Sequence, residues 1–78
     1  MRKVAIYFVT TEHPTGWMNG THEVTVVTEK NHQTNRLQKS VRIPGLGCSC
    51  DYQTPLDLVA ISNLLAENGM RMVKMVQR

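Results

Sequence analysis

Hydrophobic and polar positions alternate with period two in four stretches of this chain and recur with the helical 3.6 period in one. In residues 3–10, Val4, Ile6 and Phe8 point one way from an extended backbone and Ala5, Tyr7 and Val9 the other. Apolar residues on both faces predict a central strand, covered on at least one side. In residues 22–29, Val24 and Val26 stand opposite Glu23, Thr25 and Val27, which predicts a second strand. Residues 36–43 alternate most cleanly, with Leu37, Val41 and Ile43 on one side and Arg36, Gln38, Ser40 and Arg42 on the other. Lys39 falls on the apolar side, and an inward-pointing lysine is a device that blunts a sheet edge, so this strand is expected at an edge.

The intervening segments carry turn chemistry. Residues 11–21 form a loop built on Pro14, Gly16, Asn19 and Gly20, and they hold two large apolar side chains, Trp17 and Met18, that either fold back onto the core or mark a contact surface. Residues 30–35 are a polar turn. Pro44 ends the third strand, and residues 44–53 read as irregular, with Gly45 and Gly47 free to take positive φ. Thr54, Pro55 and Asp57 make a helix start: a capping hydroxyl, a proline suited to the first helical position and an acid at the positive end of the helix dipole. The helix is expected to reach about Asn68, where Gly69 stops it, with Leu58, Ala60, Ile61, Leu64 and Leu65 as its apolar face. Residues 70–77 alternate loosely, Met70, Met72 and Val76 against Val73 and Met75, and predict a last strand.

The order β-β-β-α-β predicts an α+β fold over residues 1–78 as a single domain: a four-stranded, mostly antiparallel sheet in spatial order 3-2-1-4 with one helix packed on one face. The helix crossover would enter the last strand parallel to the first.

Composition narrows the class. With 41% hydrophobic and 19% charged residues the chain is globular rather than disordered. No apolar run approaches the roughly 18 residues of a membrane span, and the short apolar start lacks a signal-peptide cleavage pattern, so a cytoplasmic protein without membrane partners is expected. The net charge of +3 arises entirely after residue 35, which hints at an acidic partner.

Four places carry candidate chemistry. Cys48 and Cys50 would ligate zinc if His13, His22 or His32 completed the set, but a single pair at this spacing reads first as two free thiols. Gly45-Leu46-Gly47 lacks the lysine and the spacing of a phosphate loop and reads as a turn. The sheet face away from the helix would gather Arg36, Gln38 and Arg42, with Tyr7 and Arg71 joining them if the register agrees; basic side chains and an aromatic on an open sheet suit single-stranded nucleic acid. The back of the helix has no charged residue between Leu58 and Ala66, and Val59, Ser62, Asn63 and Ala66 there suggest a surface that docks on another chain, a second copy included.

No nucleophile, base and orienting group stand in a recognisable catalytic arrangement, and no cofactor is implied. The leading expectation is therefore a non-catalytic binding module: an accessory or inhibitory protein, of the kind phages and mobile elements encode, that uses Trp17, Met18 and the helix back to hold a protein partner. Nucleic-acid binding through the basic sheet face and zinc binding through Cys48 and Cys50 are the alternatives.

Overall fold

The structure, a computed structural model, describes residues 2–52 and 54–78, with side chains described for all of these except 48–52. Strand β1 spans Arg2–Glu12, β2 Gly20–Asn31, β3 Arg36–Ile43 and β4 Gly47–Tyr52; helix α1 spans Asp57–Glu67 and strand β5 Arg71–Gln77. The chain is thus the expected α+β arrangement of one helix on an antiparallel sheet. The four expected strands stand in the expected order, here β3-β2-β1-β5, and β4 extends the sheet beyond β3 to give β4-β3-β2-β1-β5. No helix is long and apolar enough to cross a membrane among the described residues.

Strand β4 corrects two expectations. The segment read as irregular pairs antiparallel with β3 from Ile43↔Gly47 to Lys39↔Tyr52. Its turn is built on Pro44 and on Gly45 at φ +92, closed by the Leu46 amide donating to the Ile43 carbonyl at 3.0 Å. This is the positive φ that a type II turn demands of its third residue. An added strand also reverses the direction in which the chain enters the crossover. Hence β5 runs antiparallel to β1, pairing from Tyr7↔Gln77 to Glu12↔Arg71, and not parallel as expected.

One sheet face carries the core. Val9, Val24, Val26, Val41 and Ile43 are wholly buried against Ala60, Ile61, Leu64 and Leu65 of α1, with Tyr7 and Met70 at the margins. The helix begins two residues later than predicted. Leu56 is its N-cap residue, without a side-chain cap, and the Thr54 hydroxyl instead accepts the Leu56 amide in a local turn. The shortened helix leaves Leu58 in its first turn, 48% exposed, and out of the core. At the other end Gly69 stops the helix as expected. At φ +71 it lets its own amide reach the Ala66 carbonyl and the Met70 amide reach the Leu65 carbonyl, a Schellman closure that draws Met70 onto the core.

In β5 the register slips between Thr10↔Lys74 and Thr11↔Met72, which makes Val73 a bulge. The extra residue breaks the predicted alternation: Met72 and Met75 both turn toward the helix, and Lys74 and Val76 toward the open face.

Candidate functional site

Two surfaces concentrate chemistry: a groove at the start of α1 and the sheet face that, among the described residues, no element covers.

The groove, of about 520 Å³, lies between the helix start and the sheet end where β1, β2 and β3 carry Ala5, Thr28 and Leu37. Its floor is a polar network. Lys39 Nζ donates to Asp57 Oδ1 at 2.6 Å and to Thr28 Oγ1 at 2.8 Å, and the Tyr7 hydroxyl donates to Asp57 Oδ2. Each member is placed by local structure. Thr28 and Lys39 are directly paired across β2 and β3, so both project toward the helix. Asp57 stands in the first helical turn, where the dipole favours a carboxylate. Lys39 therefore does not blunt an edge: β4 covers β3, and the inward lysine is the counter-ion of the helix start.

Burial alone would push the Asp57 carboxyl up. The hydrogen bonds from Lys39 and Tyr7, with the nearby charges of Lys39 and Lys3, outweigh it and hold the carboxyl below its ordinary value. Burial, then the hydrogen bond to Asp57 and its charge, push the Tyr7 phenol up to about 12. Through the neutral range the carboxyl stays ionised and the phenol protonated, so neither gives or takes a proton there. Around this floor the wall is apolar: Leu37, Leu56, Leu58 and Met75, with Lys3 as the exposed cation at the rim.

The open face is formed by the other side of the same strands. Along β1 it presents Val4, Ile6 and Phe8, and β5 sets Val76 directly beside Phe8. Val4 is 54%, Phe8 38% and Val76 46% exposed, an apolar stripe along β1 and the edge strand β5. Charges frame it. Arg2 reaches Glu29 at 4.0 Å, Arg78 reaches Glu23 at 3.8 Å and Arg71 reaches Glu12 at 3.0 Å. Arg36, Arg42 and Lys74 share this face by register, so among the described side chains six basic and three acidic residues lie here. That surplus equals the net charge of the whole chain, +3.

The predicted site residues divide accordingly. Arg36, Gln38, Arg42 and Arg71 do share the open face, with Gln38 Oε1 accepting from Asn31 Nδ2 at 3.1 Å. Tyr7 does not. Odd-numbered residues of β1 face the helix, so Tyr7 is buried in the network described above. Trp17 is exposed and meets the His13 ring edge-on, centroids 5.6 Å apart. Met18 is half-buried, packs on the core and reaches over Gly45, while its carbonyl accepts from Thr11 Oγ1 and meets His22 Nε2, each at 2.7 Å. On α1, Val59, Asn63 and Ala66 are exposed and Ser62 half-buried, a small neutral stripe on the helix back.

The side chains of Cys48 and Cys50 lie outside those described. His13 and His22 flank the β1–β2 loop and His32 sits at the far end of β2. Among the described residues no three histidine, cysteine or acidic side chains come together as a metal site.

Sequence reasoning missed the Tyr7–Asp57–Lys39 network and the exposure of Val4, Phe8 and Val76. Signals existed for both. A lysine on an apolar strand face needs a partner, and a central strand apolar on both faces beside a single helix leaves one face without cover. No protein-family model matches the chain, nor does any curated protein or solved structure.

Proposed function

We propose that this chain is a non-catalytic protein-binding module, an accessory protein of the cytoplasm, whose partner docks on the open face of the sheet. The observation that carries the reading is the exposed stripe Val4–Phe8–Val76 inside a charged frame. An apolar centre with a polar rim is the anatomy of a protein interface. A second copy is a poor occupant, because two faces with the same positive surplus repel; the fit is to a partner with an apolar patch and an acidic surround. This moves the contact away from the helix back, where Val59 and Ala66 offer little area. Nucleic acid is the weaker reading, since three of the six basic side chains are already engaged by glutamates and Phe8 is the face's one aromatic among the described side chains.

The test compares wild type with Phe8→Glu, Val76→Glu and Val59→Glu as affinity baits. A partner that is then purified and rebinds wild type and Val59→Glu, but not the two sheet-face variants, supports the reading. Equal rebinding by all four overturns it. So does binding to single-stranded oligonucleotides that falls steeply with salt and disappears in Arg36→Ala/Arg42→Ala.

A further inference from the structure

Strand β1 is covered by β5 over only part of its length. The ladder runs from Tyr7 to Glu12 and ends where the Arg78 amide donates to the Ile6 carbonyl at 2.9 Å. On its other side β1 is paired with β2 all the way to Arg2↔Glu29. The segment Arg2–Ala5 is therefore held extended by one neighbour and, among the described residues, has no strand on the other side.

The direction of the free groups follows from the Ile6 bond. Within a strand the amide and carbonyl of one residue point the same way, and successive residues alternate. Since Ile6 points toward the β5 side, so do Val4 and Arg2, while Lys3 and Ala5 point into the β2 ladder. The amides of Ile6, Val4 and Arg2 and the carbonyls of Val4 and Arg2 thus line an open edge. The outer edge of β5 is interrupted by the Val73 bulge, a device that discourages strand addition. The Arg2–Ile6 edge has neither a bulge nor a proline.

The groove lies beside this edge. Lys3 and Ala5 line it from β1, Gln77 from β5 and Leu58 from α1. A strand laid antiparallel along Arg2–Ile6 would set one side chain opposite Ala5, next to the exposed Leu58, and the one two residues on opposite Lys3. We propose that this edge takes an extended peptide segment by strand addition, with an apolar side chain in the groove at Ala5 and Leu58 and an acidic side chain against Lys3. Arg2 and Lys3 fix the choice of occupant: they favour an acidic segment and disfavour pairing with the same edge of a second copy. The site is separate from the sheet-face contact, because Lys3 and Leu58 are on the helix side, so either reading can fail alone.

The experiment uses amide exchange and chemical shifts on the isotope-labelled protein with the blocked pentapeptides Thr-Leu-Val-Glu-Thr and Thr-Leu-Val-Lys-Thr. In the free protein the Val4 amide exchanges quickly and the Ala5 amide slowly. The glutamate peptide slows Val4 and leaves Ala5 unchanged, and it binds about fivefold more tightly than the lysine peptide. Lys3→Glu reverses that preference, and Leu58→Glu weakens both peptides; both residues are exposed, so both variants fold. A Val4 amide as protected as Ala5 in the free protein means the edge is already filled and overturns the proposal. Equal binding of the two peptides, or shifts confined to Phe8 and Val76, overturns it as well.

Discussion

Lys39→Met removes the ammonium from the groove floor while keeping most of the side chain's volume. It leaves Asp57 with a single hydrogen-bond donor, Tyr7, in a site where the carboxylate side chain is 19% exposed. Breaking a buried ion pair from one side costs about 3–5 kcal/mol because the remaining charge is stranded, and the opening of the groove to water puts this case near the lower end, at about 3 kcal/mol. For a chain of this length total stability is about 4–12 kcal/mol, so the loss is a large fraction of it and lowers the melting midpoint by roughly 12–24 °C. The complementary change, Asp57→Leu, strands the lysine and is expected to cost a similar amount. The double variant Lys39→Met/Asp57→Leu strands no charge, and exchanging such a pair for apolar side chains is often neutral, so it should sit within about 1 kcal/mol of wild type. Urea unfolding of the four proteins closes the cycle. If the double variant loses the sum of the two single losses, the pair is not coupled and the reasoning is wrong. It is equally wrong if Lys39→Met alone changes stability by less than about 0.5 kcal/mol.

Three further expectations follow from the same geometry. The Asp57 carboxyl is held below its ordinary value, so the stability it contributes is present above about pH 4 and is lost as pH falls through the lower folded-state value; Asp57→Asn should flatten this acid limb in melts recorded from pH 6 to 2. The Tyr7 phenol, raised to about 12, favours the neutral form in the fold, so stability is retained below about pH 10 and lost between there and 12. In a Tyr52→Phe background, tyrosinate absorbance should therefore rise only above pH 11, and a midpoint near 10 with the fold intact would contradict the buried hydrogen bond. Finally, a Cβ on Gly45 would come 2.9 Å from Met18 Cε at a backbone φ of +92, so Gly45→Ala should lose about 1–2 kcal/mol, part of it recovered in Met18→Ala/Gly45→Ala when both are compared with Met18→Ala by thermal melting.

What was readable in the sequence and what was not have a common physical origin. Alternation and turn chemistry report on neighbours within one element, and they located all three early strands, the Gly69 helix stop and the split of β1 into two apolar faces. They fail where a partner distant in the chain decides. Residues 47–52 have too few apolar positions to advertise a strand, and it is the exposed hydrogen-bonding edge of β3 that draws them into the sheet. Thr54 and Pro55 form a sound local cap signal, yet Asp57 is held by Lys39 and Tyr7, and the helix begins there. In the candidate surfaces, the register that puts Arg36 and Arg42 on one face was legible from period two alone. Parity separates Tyr7 from Val4, Ile6 and Phe8, but which set shares a face with Arg36 and Arg42 depends on the β1–β2–β3 register, and that register puts Phe8 there. The Val73 bulge could not be read, because one added residue in a loosely alternating strand leaves no mark in composition.

The return of the chain across its own sheet also bears on how the protein assembles. Strands β1 to β4 are joined by short connections and can pair in sequence, each closing a small loop. The last pairing brings residue 77 to residue 7, and its loop-closure entropy is borne only when α1 has crossed three strands. Such a non-local final step slows folding relative to helical proteins of equal size. Strand β1 then waits with an exposed ladder until β5 arrives, which makes the interval before that closure the moment of greatest exposure to mispairing with other chains.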